Sequence, residues 1–205
     1  LVLAVPDPAL WRLTYADRDL PAAEKQRLMA AYRRFVQRHL YFHGEHRTFL
    51  SKNPSFTPFM ATLADAFPDA RFIGCLRNPT AAVPSQINSI VIGGKLFDGR
   101  DTADYWREGF LAMLDYYYRH LLEQLDGLPE GRGALSVMET LAAAPGESVS
   151  GFYRTFGWTP SPGYRAFLDG EDRRAAAYRS GHRYSLENLG VDPGRLAATF
   201  GWVYD

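Results

Sequence analysis

Cysteine is nearly absent from the chain. Cys75 stands alone in an apolar segment, so no internal disulfide can form, and the residue fits a reducing, cytoplasmic setting. Net charge is absent as well: 23 basic and 23 acidic side chains cancel, which leaves no general attraction to nucleic acid or to an anionic membrane. No apolar run approaches the roughly 20 residues that a membrane-spanning helix needs. Repeats, low-complexity tracts and clear linkers are missing, and 205 residues suit one domain, 1–205, with a sizeable core. Lysine is scarce, three against 20 arginines. Each lysine is therefore informative, because ammonium is a compact point charge and guanidinium a planar fork. The opening "LVLAV" has no initiator Met and no basic n-region, so it does not read as a signal peptide. It looks like the interior of a longer chain, and a truncated N-terminus is expected.

What is present reads as strands alternating with helices. Leu28, Tyr32, Phe35 and His39 share one face of a helix over 22–40, with His39 expected to pack. "RTFLSKNP" (47–54) reads as a short strand ending at Lys52. Thr57 then caps a helix that starts at Pro58. "FPDA" turns the chain into a second strand, 71–76, which stops at Arg77 before Asn78 and Pro79. A helix is expected from about 80 to 91, a loop at "IGGKLFDGRD", and the longest helix from about 102 to 125 with Phe110, Leu114, Tyr117, Leu121 and Leu125 in a stripe. "ALSVMET" (134–140) reads as a third strand, and a helix ended by Gly157 follows. Residues 160–183 read as irregular or broken helix, and a last helix spans about 194–204. The pattern predicts an α/β fold with a mainly parallel sheet. In such sheets ligands bind beyond the carboxyl ends of the strands. Those ends carry Lys52, Arg77 and Glu139, and cations beside helix N-termini make an anion site, since free N–H groups and the helix dipole attract negative charge.

The stretch "FLSKNPSFTPFMATLADAFPDARFIGCLRNPTAAVPS" resembles the central segment of sulfotransferases that use 3′-phosphoadenosine 5′-phosphosulfate (PAPS). "LSVMETLAAAPGESVSGFYRTFGW" looks like a later segment of that family, and "YRSGHRYSLENLGVD" is similar to the C-terminal segment of its bacterial-type members. The resemblance implies a three-layer, P-loop-like α/β fold and sulfuryl transfer from PAPS to an acceptor hydroxyl or amine, with 3′,5′-diphosphoadenosine as product and no metal. It matches Arg77 and Ser85, eight residues apart, to the pair that holds the 3′-phosphate. It matches Lys52 to the lysine beside the transferring group, and Arg179 with Gly181 to a loop that closes over the 3′-phosphate. Glu139 could be catalytic, but an arginine partner in the scaffold is the expected role.

Two departures from the family pattern stand out. No Gly-rich phosphosulfate loop is visible, and the glycines of "IGGK" follow a helix, whereas a phosphate loop needs strand, loop and helix in that order. Such a loop is expected upstream of Leu1. The histidine that many relatives carry near the lysine is missing from "KNPSFT". Candidates for a general base are His43, Glu45, His46 and His182, with His46 preferred. "HGEH" reads as a solvated loop, without the helical spacing and third ligand of a zinc site. Two alternatives to the enzyme stay open: a non-catalytic sulfotransferase-like module, and another P-loop-fold transferase of kinase type. The acceptor, small molecule or sugar, and the oligomeric state are not legible.

Overall fold

The computed structural model describes residues 8–98, 103–177 and 192–204, with 8, 91–98 and 103–108 described by backbone alone. The chain clusters into two compact units, Pro6–Ala70 and Arg71–Asp205.

In the first unit, single turns at Pro8–Trp11 (α1) and Ala16–Asp19 (α2) precede the long helix Ala22–His43 (α3). A 3₁₀ segment, Pro54–Phe59, leads into Met60–Ala66 (α4). The core here is small: Ala16, Leu20, Pro58, Met60 and Leu63 are buried. The Asp17 carboxylate binds it together by accepting from the Ala61 and Thr62 amides at 2.8 and 3.1 Å, at the start of α4. Helix α3 follows the expected stripe, with Tyr32 edge-on to Phe56 and Phe67 at 5.1 and 5.7 Å. None of its residues is fully buried. His39 lies against the rings of Phe35, His43 and Phe49 yet stays open to solvent, which corrects its expected burial.

The strand expected over 47–54 does not form, and Lys52 lies in coil. A strand exists through its ladder partner, which local propensity cannot supply. The cap also shifts: the Asn53 side chain accepts from the Ser55 amide at 3.0 Å, and Pro54 takes the first helical position. Thr57 instead donates its hydroxyl to the Pro54 carbonyl inside that turn.

The second unit holds the sheet. Phe72–Leu76 (β1) and Gly133–Val137 (β2) pair in parallel, Phe72 opposite Gly133 and Leu76 opposite Val137. Among the described residues the sheet has these two strands, so the architecture is α/β but mostly helical, with a smaller sheet than expected. Two strands alone are marginal in water and need a helix against them. Helix Ala103–Asp126 (α6) supplies it, with Leu121 and Leu125 filling the space above Gly74. Phe110, Leu111, Met113, Leu114, Tyr118 and Leu121 of α6 form most of the buried core with Val83, Ile87 and Phe200.

Helix Pro79–Asp98 (α5) continues through the expected loop at 92–98. Two adjacent glycines cost a helix about 1 kcal/mol each relative to alanine, a penalty that does not forbid it. After β2 the chain turns directly into Met138–Ala143 (α7), so Glu139 stands in the first turn of a helix and not at a strand end. Pro145–Thr155 (α8) ends as expected at Gly157, whose φ of 68° lets Trp158 N–H reach back to the Tyr153 carbonyl at 2.8 Å. Residues 162–177, expected to be irregular or broken helix, form one continuous helix, Pro162–Ala177 (α9), and Pro193–Phe200 (α10) follows. Among the described residues no helix is long and apolar enough to cross a membrane.

Candidate functional site

The strand-to-helix turn after β1 brings Arg77 and Asn78 against Glu139. β1 ends at Leu76, Arg77 follows, and Asn78 caps α5 by accepting the Thr80 amide on its side-chain oxygen at 2.9 Å. Pro79 takes the first helical position, where a missing N–H costs nothing. The Asn78 carbonyl accepts from Ala81 and Ala82 at 3.0 and 2.9 Å. The Asn78 amide itself donates to Glu139 Oε1 at 3.1 Å.

Every early amide of α5 is thus already paired, or is proline. This corrects the expectation of free N–H groups waiting for an anion. Negative charge at this helix start has to be met by side chains. Arg77 can do so: its side chain is exposed and makes no hydrogen bond or ion pair with any described residue. Ser85 is half-buried on α5. It lies seven residues from the cap, two turns and about 10 Å along the same helix face.

Glu139 also differs from expectation. Among the described residues its carboxylate pairs with no arginine and accepts instead from the Asn78 backbone. The turn is gripped from two further elements. Tyr118 of α6 donates its hydroxyl to the Arg77 carbonyl at 2.5 Å, and Tyr204, just past α10, donates to Asn78 Oδ1 at 2.7 Å. Burial pushes the Tyr118 hydroxyl up to about 12. Nearby Tyr204 and Glu139 add to the rise, and the positive charge of Arg77 opposes it. Asn-Pro was a readable cap signal. No local pattern marked Tyr118 or Tyr204, whose partners lie 41 and 126 residues away.

In the first unit, Lys52 is exposed and pairs with no described residue. It sits before Asn53 and Pro54 as Arg77 sits before Asn78 and Pro79, and in both places the asparagine caps the following helix through the residue two further on. "KNPS" and "RNPT" therefore build the same local structure twice, each presenting a cation just outside a helix start. His46 is exposed in the turn after α3, its ring folded over Gly44. His43 ends α3 against the rings of His39 and Phe42. Among the described residues no group of three metal-ligating side chains comes together. Arg179, Gly181 and His182 lie outside the described residues.

No curated protein and no solved structure matches the chain. A family model does, the sulfotransferase family, over residues 6–162. That span takes in Lys52, both strands, Arg77, Ser85 and Glu139, and covers well over half of the 205 residues. The chain belongs to the sulfotransferase family, whose chemistry is the transfer of a sulfuryl group.

Proposed function

We propose that the chain transfers a sulfuryl group from PAPS to a hydroxyl or amine of a small-molecule or sugar acceptor, in a cytoplasmic setting. The observation that carries this reading is the Arg77 guanidinium, exposed and unpaired among the described residues beside the start of α5, with Ser85 two turns along that helix. A planar fork of N–H donors matches a phosphate, and a serine hydroxyl adds a further donor. These two groups suit the 3′-phosphate of the nucleotide. Arg179 and Gly181 join them through the sequence resemblance.

Bound PAPS supplies the activated sulfuryl group. Lys52 offers a compact positive charge to the bridging oxygen, where negative charge builds. His46, exposed in the turn after α3, is the candidate base for the proton of a hydroxyl acceptor.

The test is titration of 3′,5′-diphosphoadenosine and of adenosine 5′-phosphosulfate, which lacks the 3′-phosphate, into the chain and into Arg77→Ala. The substitution should weaken the first ligand by about 1.5–3 kcal/mol, the worth of a hydrogen bond to a charged group. The second ligand should change little. Equal losses for both would remove Arg77 from the 3′-phosphate. Ligand binding without turnover of any acceptor would favour the non-catalytic module.

A further inference from the structure

The Arg77–Asn78 peptide is held at both of its polar ends. Its carbonyl accepts the Tyr118 hydroxyl at 2.5 Å and its N–H donates to Glu139 Oε1 at 3.1 Å. The six atoms of a peptide are coplanar. Fixing its oxygen and its nitrogen therefore fixes the tilt of the whole plane, and with it ψ of Arg77 and φ of Asn78. The next side chain along is held too, because Asn78 Oδ1 accepts from both Thr80 and Tyr204. The three outside donors and acceptors come from α6, α7 and the segment after α10, which are far apart in sequence.

Local structure alone does not require this. An asparagine cap and a proline at the first position already start the helix. What the bonds from Tyr118 and Glu139 add is a single orientation for the peptide joining Arg77 to the cap, and the bond from Tyr204 steadies the cap side chain itself. Tyr204 is itself well placed to serve: Trp202 donates its indole N–H to Asp115 at 2.9 Å, and the Arg119 guanidinium covers the Trp202 ring at 4.2 Å. Phe200 is buried against Tyr118.

We infer that Tyr118, Glu139 and Tyr204 are positioning residues: the first two lock the Arg77–Asn78 peptide, the third holds the Asn78 side chain beside it, and together they set the direction from which the Arg77 guanidinium meets a phosphate. This rests on the assignment of Arg77 to the 3′-phosphate of the nucleotide. A long side chain on a free peptide samples many directions, and each bond to an anion then costs ordering entropy. On a locked peptide part of that entropy is lost during folding, before the ligand arrives.

The experiment is a set of double-mutant cycles read by titration of 3′,5′-diphosphoadenosine, with adenosine 5′-phosphosulfate as the control ligand. Tyr118→Phe, Glu139→Ala and Tyr204→Phe should each weaken 3′,5′-diphosphoadenosine by about three- to tenfold, the scale of one hydrogen bond. The control ligand should be unaffected. In an Arg77→Ala background the same three changes should have no further effect, because the group they aim is gone. Glu139→Gln keeps an acceptor oxygen facing the Asn78 amide and should retain most of the affinity that Glu139→Ala loses. Tyr204 is 54% exposed, so Tyr204→Phe tests the idea even if the buried Tyr118 proves intolerant of change. Losses that are additive with Arg77→Ala, or equal for both ligands, would overturn the positioning role and leave the Arg77 assignment standing. An Arg77→Ala chain that binds both ligands as before would overturn the assignment and this inference together.

Discussion

Tyr118 shows how one side chain serves both stability and the site. It is 7% exposed, on the most deeply packed helix, and its hydroxyl has a backbone carbonyl for a partner. Its pKa is raised from 10.0 to about 12, mainly by burial. The folded state therefore holds this proton more tightly than the unfolded chain does. The stabilisation is complete below pH 10 and is lost as the pH climbs through about 12. Tyr118→Phe should flatten the alkaline limb of stability in that window, while lowering stability at neutral pH through the lost hydrogen bond. Urea unfolding at a series of pH values checks this, and an alkaline limb of unchanged slope would mean that another group titrates there. Of the aromatic residues 116–118, the sequence placed Tyr117 in the apolar stripe. That the buried one is Tyr118 and not the striped Tyr117 depends on the rotation of α6 against β1 and α10.

At the scale of elements, the protein closes three of its described helix starts, those of α4, α8 and α10, with its own carboxylates. Asp17 takes the first amides of α4, and Asp192 caps α10 at Gly194 and Arg195. Asp172 of α9 accepts from the Gly146 and Glu147 amides of α8 at 2.7 and 3.1 Å. Carboxylates at these positions satisfy orphan donors and the helix dipole together. Asp172→Ala should cost about 1–2 kcal/mol, the usual worth of a lost cap. Chemical denaturation reads it, and a loss below a few tenths would show that water replaces the carboxylate without penalty. The same contact explains Gly146: a Cβ there would lie 2.2 Å from the Leu168 carbonyl oxygen, so α8 and α9 approach as closely as they do because that residue has no side chain. Helix α9 was unreadable from its own residues for a related reason. "DGEDRRAAA" looks broken in isolation, and its order comes from buried Leu168 and from Asp172 docking on α8. Helix α6 and the end of α8, by contrast, were legible to within a residue or two, since a long apolar stripe and a terminal glycine are local signals.

At the scale of the whole molecule, the two candidate cations belong to different units, Lys52 to Pro6–Ala70 and Arg77 to Arg71–Asp205. Their proposed roles differ in the same way, one acting in transfer and one in binding. Lys52→Met keeps the length of the side chain and removes its charge. It should lower kcat tenfold or more, about 1.4 kcal/mol in the barrier, and leave the affinity for 3′,5′-diphosphoadenosine unchanged, the sign of a contact made mainly in the transition state. Steady-state kinetics beside titration measures both, and an unaltered kcat would make Lys52 a solvated coil residue. The sequence by itself determined the family, through spacings repeated over residues 6–162, the parallel pairing class, through the alternation of strands with helices, and the cations Lys52 and Arg77 before their Asn-Pro pairs. The tertiary structure alone decided which extended segments find a ladder partner, that Glu139 turns to the Asn78 backbone, and that Tyr118 and Tyr204 close on the same turn. Those are contacts across 41 to 126 residues. They form only when burial of the α6 core brings the elements together, and no local preference encodes them.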